Sequence, residues 1–257
     1  MLGIGQAAPR AATAVIASLP ILVAASAAVA GSFSVSPVRI ELSAQQKMGV
    51  LTVRNEEDVP ALVQVETLAW SQADGNEVHV PTRDVLATPP VFTLPPKGQQ
   101  ILRVALRRNA DAARELSYRL ALQEVVAEAP KESVGLRVAL RISLPVFVQP
   151  SVLSDADLRW SARCDADGNL TVEATNHGNG HIQLAGFSVH YADSVDATFT
   201  HSGARYVLPG SRVGWTFKSD GEADRQAIPR DDRPEALTIR GFSDRGDFST
   251  QVQTDLP

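Results

Sequence analysis

The stretch from Val134 to Pro150, VGLRVALRISLPVFVQP, constrains the fold more than any other part of the chain. Aliphatic residues occupy every second position from Val134 to Leu144, and small or polar residues separate them. Successive side chains of a strand alternate between its two faces, so a repeat of two predicts a β-strand with one aliphatic row. The run is far longer than an ordinary strand of about five or six residues. Part of this edge must therefore serve a purpose other than its own sheet.

The chain between Phe33 and Pro150 predicts an all-β domain. Seven candidate strands alternate in the same way, and turn residues such as Asp74-Gly75 and Pro95 to Gly98 separate them. No apolar pattern with a helical repeat is sustained. Short alternating strands at this spacing are typical of an antiparallel sandwich of the immunoglobulin type.

The same pattern starts again after Pro150 and continues to the end of the chain. We expect an N-terminal immunoglobulin-like domain over residues 31–149 and a second one over residues 150–257. The break between them is short, which predicts two domains held at a defined angle.

The first thirty residues predict a cleaved signal peptide. Arg10 is followed by an apolar segment rich in alanine and by Ala28-Val29-Ala30, and we place cleavage after Ala30. Nothing further along is long and apolar enough to span a bilayer, so no membrane insertion is expected after cleavage. The formal net charge of −5 does not suggest a nucleic-acid partner. Cys164 is the only cysteine, so an exported chain of this kind has no intrachain disulfide.

Catalytic and metal-binding signatures do not stand out. The sequence has no nucleophile elbow, P-loop or zincin helix, so no enzyme activity, metal or cofactor is expected. The turn HGNGH is interpreted as carrying two partly exposed histidines, His177 and His181. Asp165 to Asn169 has only part of a calcium-loop spacing and predicts a hairpin turn. Cys164 is interpreted as a small buried hydrophobe.

Two arginines lie in otherwise apolar strands. Arg39 occurs in SPVRIEL and Arg119 in LSYRLAL. Such side chains either extend into solvent or are held to bind a carboxylate through their forked donors, and the sequence leaves both possibilities open.

The sequence resembles the PapD-like periplasmic chaperones of chaperone–usher pilus assembly. The resemblance rests on SPVRIEL, on LATPPVFTLPPKGQQILRV, on ELSYRLALQEV and on VALRISLPVFVQP, and it extends more loosely through LRW, DGNLTVEATNHGNGHIQL and GFSDRGD. The motifs YRL and LPVFVQP look more like the branch called archaic. The resemblance covers nearly all of the chain after the signal peptide.

The family implies a boomerang of two immunoglobulin-like β-sandwich domains in the periplasm. Its members bind incomplete pilus or fimbrial subunits, lend their G1 strand to complete the subunit fold, and deliver the subunit to an outer-membrane usher. On this resemblance Val134, Leu136, Val138 and Leu140 are expected to insert into the subunit groove.

The resemblance also implies an anchor for the C-terminal carboxylate of the subunit. Arg39 matches the arginine of this anchor, whereas Pro145 occupies the position of its lysine, and Arg119 is the candidate replacement. An interdomain salt bridge is expected from Glu115, Gln149 and Asp244, although Gln149 stands where the family has an arginine. The Thr88-Pro89 bond resembles a cis peptide of the family, and a trans proline turn is the alternative.

Two alternatives from other classes remain open. An enzyme on a sandwich scaffold would need clustered catalytic groups, and none is visible in the sequence. A secreted structural or adhesive β-sandwich protein would explain the same fold and signal peptide. Such a protein would not need an exposed aliphatic edge strand. Edge strands are normally protected against pairing with other chains by charged residues or prolines.

Overall fold

The computed structural model describes residues 33–125, 138–167, 169–191, 199–218 and 236–255. Every regular element in these ranges is a β-strand. The strands are β1 (Phe33–Ser36), β2 (Ile40–Leu42), β3 (Met48–Asn55), β4 (Ala61–Ala73), β5 (Asn76–Pro81), β6 (Val85–Thr88), β7 (Val91–Leu94), β8 (Gln99–Leu106), β9 (Leu116–Glu124), β10 (Arg141–Val148), β11 (Leu158–Cys164), β12 (Leu170–Asn176), β13 (Ile182–Tyr191), β14 (Phe199–Val207), β15 (Arg212–Phe217), β16 (Ala236–Ser243) and β17 (Gly246–Asp255). Within the same ranges the chain offers no helix of the length and apolarity that a membrane crossing requires.

The first domain, strands β1 to β10, consists of two sheets. Sheet I has the strand order β1-β3-β8-β6, and sheet II has the order β2-β10-β9-β4-β5, with β7 also paired to β4. The alternation read from the sequence produces the core between them: in β4, Ala61, Val63 and Val65 are buried while the intervening Leu62 and Gln64 are exposed. Each fully buried aliphatic side chain contributes roughly 1.5–3 kcal/mol, so this regular alternation is the main source of stability.

The second domain, strands β11 to β17, is a sandwich whose two halves are hydrogen-bonded at one edge. The strand order is β14-β13-β16-β17-β11-β12-β15, and the link between β17 and β11 is a short parallel pair, Ala162 with Thr254 and Arg163 with Asp255. An aromatic cluster fills its centre, with the Trp160 and Trp215 rings stacked at 5.9 Å. Cys164 is 3% exposed and packs in this core as the expected small hydrophobe.

Three expectations about local structure need correction. Between Phe33 and Pro150 the described residues form ten strands rather than seven. The segment FSVSPVRIEL divides into β1 and β2, which lie in different sheets, and β6 and β7 on either side of Pro89-Pro90 pair with β8 and β4. The last strand of the first domain, β10, begins at Arg141, so Val138 to Leu140 precede the strand and are not part of it. The reason is that its partner β9 ends at Glu124, whose N–H donates to the Leu140 carbonyl oxygen at 2.9 Å. The third correction concerns His181, which is described with the site below.

The Thr88-Pro89 peptide is cis, which agrees with the expectation from the resemblance. A second cis peptide, Ser36-Pro37, precedes Arg39 and was not expected. The segment between β10 and β11, residues 149–157, contains the predicted domain boundary.

Candidate functional site at the domain junction

Arg39, Pro145 and Arg119 form one row across sheet II, with Arg39 just before β2, Pro145 in β10 and Arg119 in β9. Pro145 pairs with Arg119 in the antiparallel ladder of β9 and β10. Arg39 immediately precedes Ile40, which pairs with Val146, so Arg39 lies beside Pro145 on the other side. Neighbouring strands are about 4.8 Å apart, which places the two arginine backbones about 10 Å from each other. Their long side chains can therefore reach a common ligand between them.

Pro145 lies where its missing N–H costs the sheet nothing. Because Glu124 donates to the Leu140 carbonyl, hydrogen-bonded pairs of β9 and β10 fall at every second residue from Leu140, and Pro145 lies between two of them. Its ring thus replaces an N–H that would point away from β9, which is where proline is tolerated in a sheet. A lysine ammonium is absent from this position, and so is a backbone donor.

The edge of β10 before Pro145 is open. Strand β2 pairs only with Val146 to Val148, so in the described part of the chain residues 141–145 have no strand on the side away from β9. Ile142 packs partly against the first-domain core, and Leu144 is buried in it. An unpaired edge of this kind presents N–H and C=O groups that another strand can bind.

The edge continues past the strand into exposed aliphatic residues. Val138 is 51% exposed, and Leu140 is half-buried with its N–H donating to Glu124 Oε2 at 3.2 Å. The other two residues expected in the subunit groove, Val134 and Leu136, lie outside the described residues.

Arg119 packs against aromatic rings at the junction of the domains. Its guanidinium carbon lies 3.6 Å from the centroid of the Trp70 ring and 5.6 Å from that of Tyr206, which belongs to the second domain. Nη2 lies 3.6 Å from Glu77 Oε1, and the buried Nε has no hydrogen-bond partner. Burial lowers the pKa of Arg119, with the Glu77 carboxylate acting in the opposite direction. Arg119 is therefore a held side chain with an unused donor.

Arg39 also reaches the second domain. Its Nη1 donates to Asp244 Oδ2 at 3.2 Å, and its Nε lies 3.2 Å from Glu41 Oε1. Burial raises the pKa of Tyr206, while Arg39 and Arg119 both act to lower it. Arg39 and Arg119 thus both lie near Tyr206 at the junction of the domains.

The three residues expected at the domain interface meet through a fourth, His181. Glu115 Oε2 accepts a hydrogen bond from Gln149 Nε2 at 3.3 Å, and Glu115 Oε1 lies 2.7 Å from His181 Nδ1. His181 Nε2 lies 3.8 Å from Asp244 Oδ2, the same oxygen that Arg39 contacts. The ring of His181 stacks on Phe147 with a centroid distance of 3.5 Å.

The interpretation of His181 as a partly exposed turn residue is wrong, because the turn packs against the segment that joins the domains. His181 is 5% exposed, whereas His177 is exposed. A Cβ on Gly178 would collide with the backbone of Asp155, so glycine lets the turn approach closely and deliver His181 to the interface. Among the described residues no group of three or more His, Cys, Asp or Glu residues is arranged to hold a metal ion.

The rest of the interface uses backbone groups and an aromatic cluster. Gln72 Nε2 donates to the Tyr206 carbonyl at 2.8 Å, and the Leu208 N–H donates to Gln72 Oε1 at 2.9 Å. Trp70, Phe147 and Leu208 form a small core between the domains. Trp70, Tyr206 and Gln72 were not expected at the interface, since no local pattern in the sequence distinguishes them from other strand residues.

The first domain matches a known protein family. Residues 32–154 match the family model described as pili and flagellar-assembly chaperone, PapD N-terminal domain. No curated protein sequence matches the chain.

Solved structures share the fold of both domains. The chaperone CsuC, in complex with the tip adhesion subunit CsuE of the archaic Csu pili of Acinetobacter baumannii, has a TM-score of 0.62 at 18% identity, over 87% of this chain and 99% of the other. The Escherichia coli chaperone DraB has a TM-score of 0.55 at 19% identity, over 89% and 98%. The SafB chaperone, in complex with the SafA pilin of Salmonella enterica, has a TM-score of 0.56 at 20% identity, over 86% and 96%.

Proposed function

Because residues 32–154 match the family model of the PapD N-terminal domain of pili and flagellar-assembly chaperones, we propose that the chain is a periplasmic chaperone for pilus subunits. It binds an incomplete subunit by strand addition and delivers it to an outer-membrane usher. The observation that carries this proposal is the open edge of β10, which runs directly into the row of Arg39, Pro145 and Arg119.

The open edge supplies the backbone part of the interaction. A subunit strand laid along residues 141–145 would receive main-chain hydrogen bonds, as in other strand-addition complexes. Exposed Val138 and half-buried Leu140 extend this edge, and Val134 and Leu136 continue the same aliphatic row in the sequence. Each such side chain would gain roughly 1.5–3 kcal/mol on full burial in a subunit groove.

The arginine row supplies the end stop. A subunit strand that pairs along β10 towards Pro145 would bring its C-terminal carboxylate to Arg39 and Arg119. Charge-assisted hydrogen bonds of this type are the strong ones, and both guanidinium groups carry the planar fork of donors that matches a carboxylate. In this proposal Arg119 takes the role that a lysine at position 145 would have.

The domain interface keeps the two sides of the cleft in place. Glu115, Gln149 and Asp244 contribute to it through His181, so the interdomain contact does not need an arginine at position 149. We place the boundary between the domains at residues 149 and 150, and cleavage of the signal peptide after Ala30.

The direct test is co-expression in the periplasm with candidate pilus subunits. We expect an equimolar complex that survives purification, because the subunit lacks a complete sandwich without the donated strand. A chain that secretes stably but never retains a subunit would contradict the proposal and favour a structural or adhesive β-sandwich protein. A Val138→Glu variant is the matched control, since it changes the edge without touching the buried core.

A further inference from the structure

Glu115 presents an unusual electrostatic problem at the interface. Its side chain is 1% exposed, so its carboxylate is almost completely removed from water. A buried carboxylate is costly unless close donors compensate it. The donors on Glu115 are Gln149 Nε2, the His181 backbone N–H at 3.1 Å and the His181 Nδ1 atom. Among the described residues no lysine or arginine lies within ion-pair distance of it.

His181 is therefore the main partner of the buried carboxylate. It contributes two of the three contacts, whereas Gln149 contributes one at 3.3 Å. The ring cannot move freely, since it is stacked on Phe147 and its own backbone carbonyl accepts a hydrogen bond from Arg245 Nη2 at 3.1 Å. The ring orientation is thus fixed from both domains.

The far side of the same ring faces Asp244. Asp244 is itself fixed by a reciprocal pair of hydrogen bonds with Gln183, both at 2.9 Å. Its second oxygen, Oδ2, is shared between His181 Nε2 and Arg39 Nη1. In the order Glu115, His181, Asp244, Arg39, carboxylates alternate with nitrogen-bearing side chains, and the series leads from the buried interface to the open cleft.

We propose that His181 is a positioning residue for Arg39. The ring joins a carboxylate of the first domain to a carboxylate of the second, and through Asp244 it sets where the Arg39 guanidinium lies. The domain interface and the cleft are thereby one connected unit. The geometric part of this inference stands on the free protein, and only its effect on carboxylate binding rests on the proposed function.

The decisive experiment observes the Arg39 guanidinium in the free protein by NMR. The two Nη groups give separate signals when ion pairs stop rotation about the Nε–Cζ bond, and they average when the group rotates freely. We expect separate signals in the wild type and averaged signals in His181→Ala, as in the reference variant Asp244→Asn. His177→Ala, which changes the exposed histidine of the same turn, is the matched control and should leave the signals separate.

Two conservative variants separate positioning from simple packing. The amide nitrogen of His181→Asn falls near the place of Nδ1 and keeps a donor for Glu115, whereas that of His181→Gln reaches the place of Nε2, next to Asp244. We expect averaged Arg39 signals in the asparagine variant and separate signals in the glutamine variant. If His181→Ala does not fold, the asparagine and glutamine variants still test whether His181 positions Arg39. Separate signals in His181→Asn, or averaged signals in the wild type, would overturn the inference.

A second readout connects the inference to binding. A synthetic peptide of alternating valine and threonine is measured with a free C-terminal carboxylate and as its C-terminal amide. We expect the wild type to prefer the free acid, and His181→Asn to reduce that preference about tenfold, which corresponds to one charge-assisted contact. A preference that stays unchanged in His181→Asn would overturn the inference. A wild type without any preference would instead contradict the proposed anchor, while the NMR result would still decide the position of Arg39.

Discussion

Arg119 and Pro145 lie directly opposite each other across the antiparallel pair of β9 and β10. Proline supplies neither a charge nor a backbone donor at this place, whereas its neighbour supplies a guanidinium that is held against Trp70. On the other side of Pro145, Arg39 completes the row. The chain thus places two cations on the strands that flank β10 rather than one on β10 itself.

Replacement of Arg39 by alanine should sharply reduce recovery of the subunit from the periplasm. The variant loses a charge-assisted hydrogen bond to the subunit carboxylate, worth about 1.5–3 kcal/mol. Periplasmic extracts are assayed for the amount of subunit that co-purifies with the chaperone. Arg54→Ala is the control, because Arg54 is an exposed arginine that pairs with Glu56 in the first domain, away from the cleft. An unchanged yield in Arg39→Ala would contradict the anchor.

Arg39 and Arg119 should behave as a coupled pair. If both bind one carboxylate, the loss in the double variant Arg39→Ala, Arg119→Leu should be smaller than the sum of the two single losses, because residues that share a partner are not additive. Subunit affinity measured for all four proteins gives the coupling energy directly. Strictly additive losses would show that the two arginines act on different groups.

A charge on the exposed edge should abolish binding of the subunit. Val138→Glu places a carboxylate in an apolar groove, where an unpaired charge is strongly unfavourable. The exposed Val50 of sheet I offers the control Val50→Glu, which adds the same charge away from the edge of β10. Thermal unfolding should be similar for both variants, and only Val138→Glu should lose the complex. Normal complex formation by Val138→Glu would exclude this segment as part of the donor strand.

Gln72 should contribute to holding the domain arrangement. Gln72→Ala removes both hydrogen bonds to the backbone of the second domain, and we expect it to lower the free energy of unfolding by about 1–3 kcal/mol. Small-angle scattering should also detect a wider range of domain arrangements. Gln64→Ala, at an exposed position of the same strand, is the control. Identical scattering and stability in the two variants would contradict this role.

Acid should destabilise the second domain through His201. Burial is the main cause of the lowered pKa of His201, and the nearby Arg205 lowers it further. The unfolded chain therefore binds the proton more readily than the folded one, so this contribution is complete above the ordinary pKa of 6.5 and is lost as the pH falls through the lower folded value. Chemical denaturation at about pH 8 and about pH 5 should show a smaller difference for His201→Asn than for the wild type. Exposed His177→Asn should keep the wild-type difference, and an equal reduction in both variants would reject the assignment.

The sequence predicts the strands that are long and alternate strictly, and it does so for a local reason. In β4 the buried and exposed residues follow the pattern of the letters, because one face of a sheet packs on the core. Strands β6 and β7 were missed since they are short and surround two prolines. The start of β10 was misplaced because its pairing begins only where the partner strand β9 ends. The alternating pattern of β10 carries no information about where β9 ends.

The candidate site is less accessible to sequence reasoning than the fold. Arg39 and Arg119 could be singled out, because each interrupts an apolar strand. Their partners Asp244 and Trp70 depend on contacts between distant parts of the chain, such as the 205 residues that separate Arg39 from Asp244. His181 was misjudged for the same reason: its turn is polar and glycine-rich, and only the packing against the segment between the domains buries it.

The two hydrogen bonds of Gln72 have a consequence for how this protein can change over time. The side-chain amide binds a carbonyl and an N–H of the second domain, and every residue type except proline offers both groups. Positions 206 and 208 can thus accept new side chains without losing this contact. This part of the interface therefore tolerates sequence change in the second domain more readily than the aromatic core or the pairs made by His181 and Arg39, which depend on particular side chains.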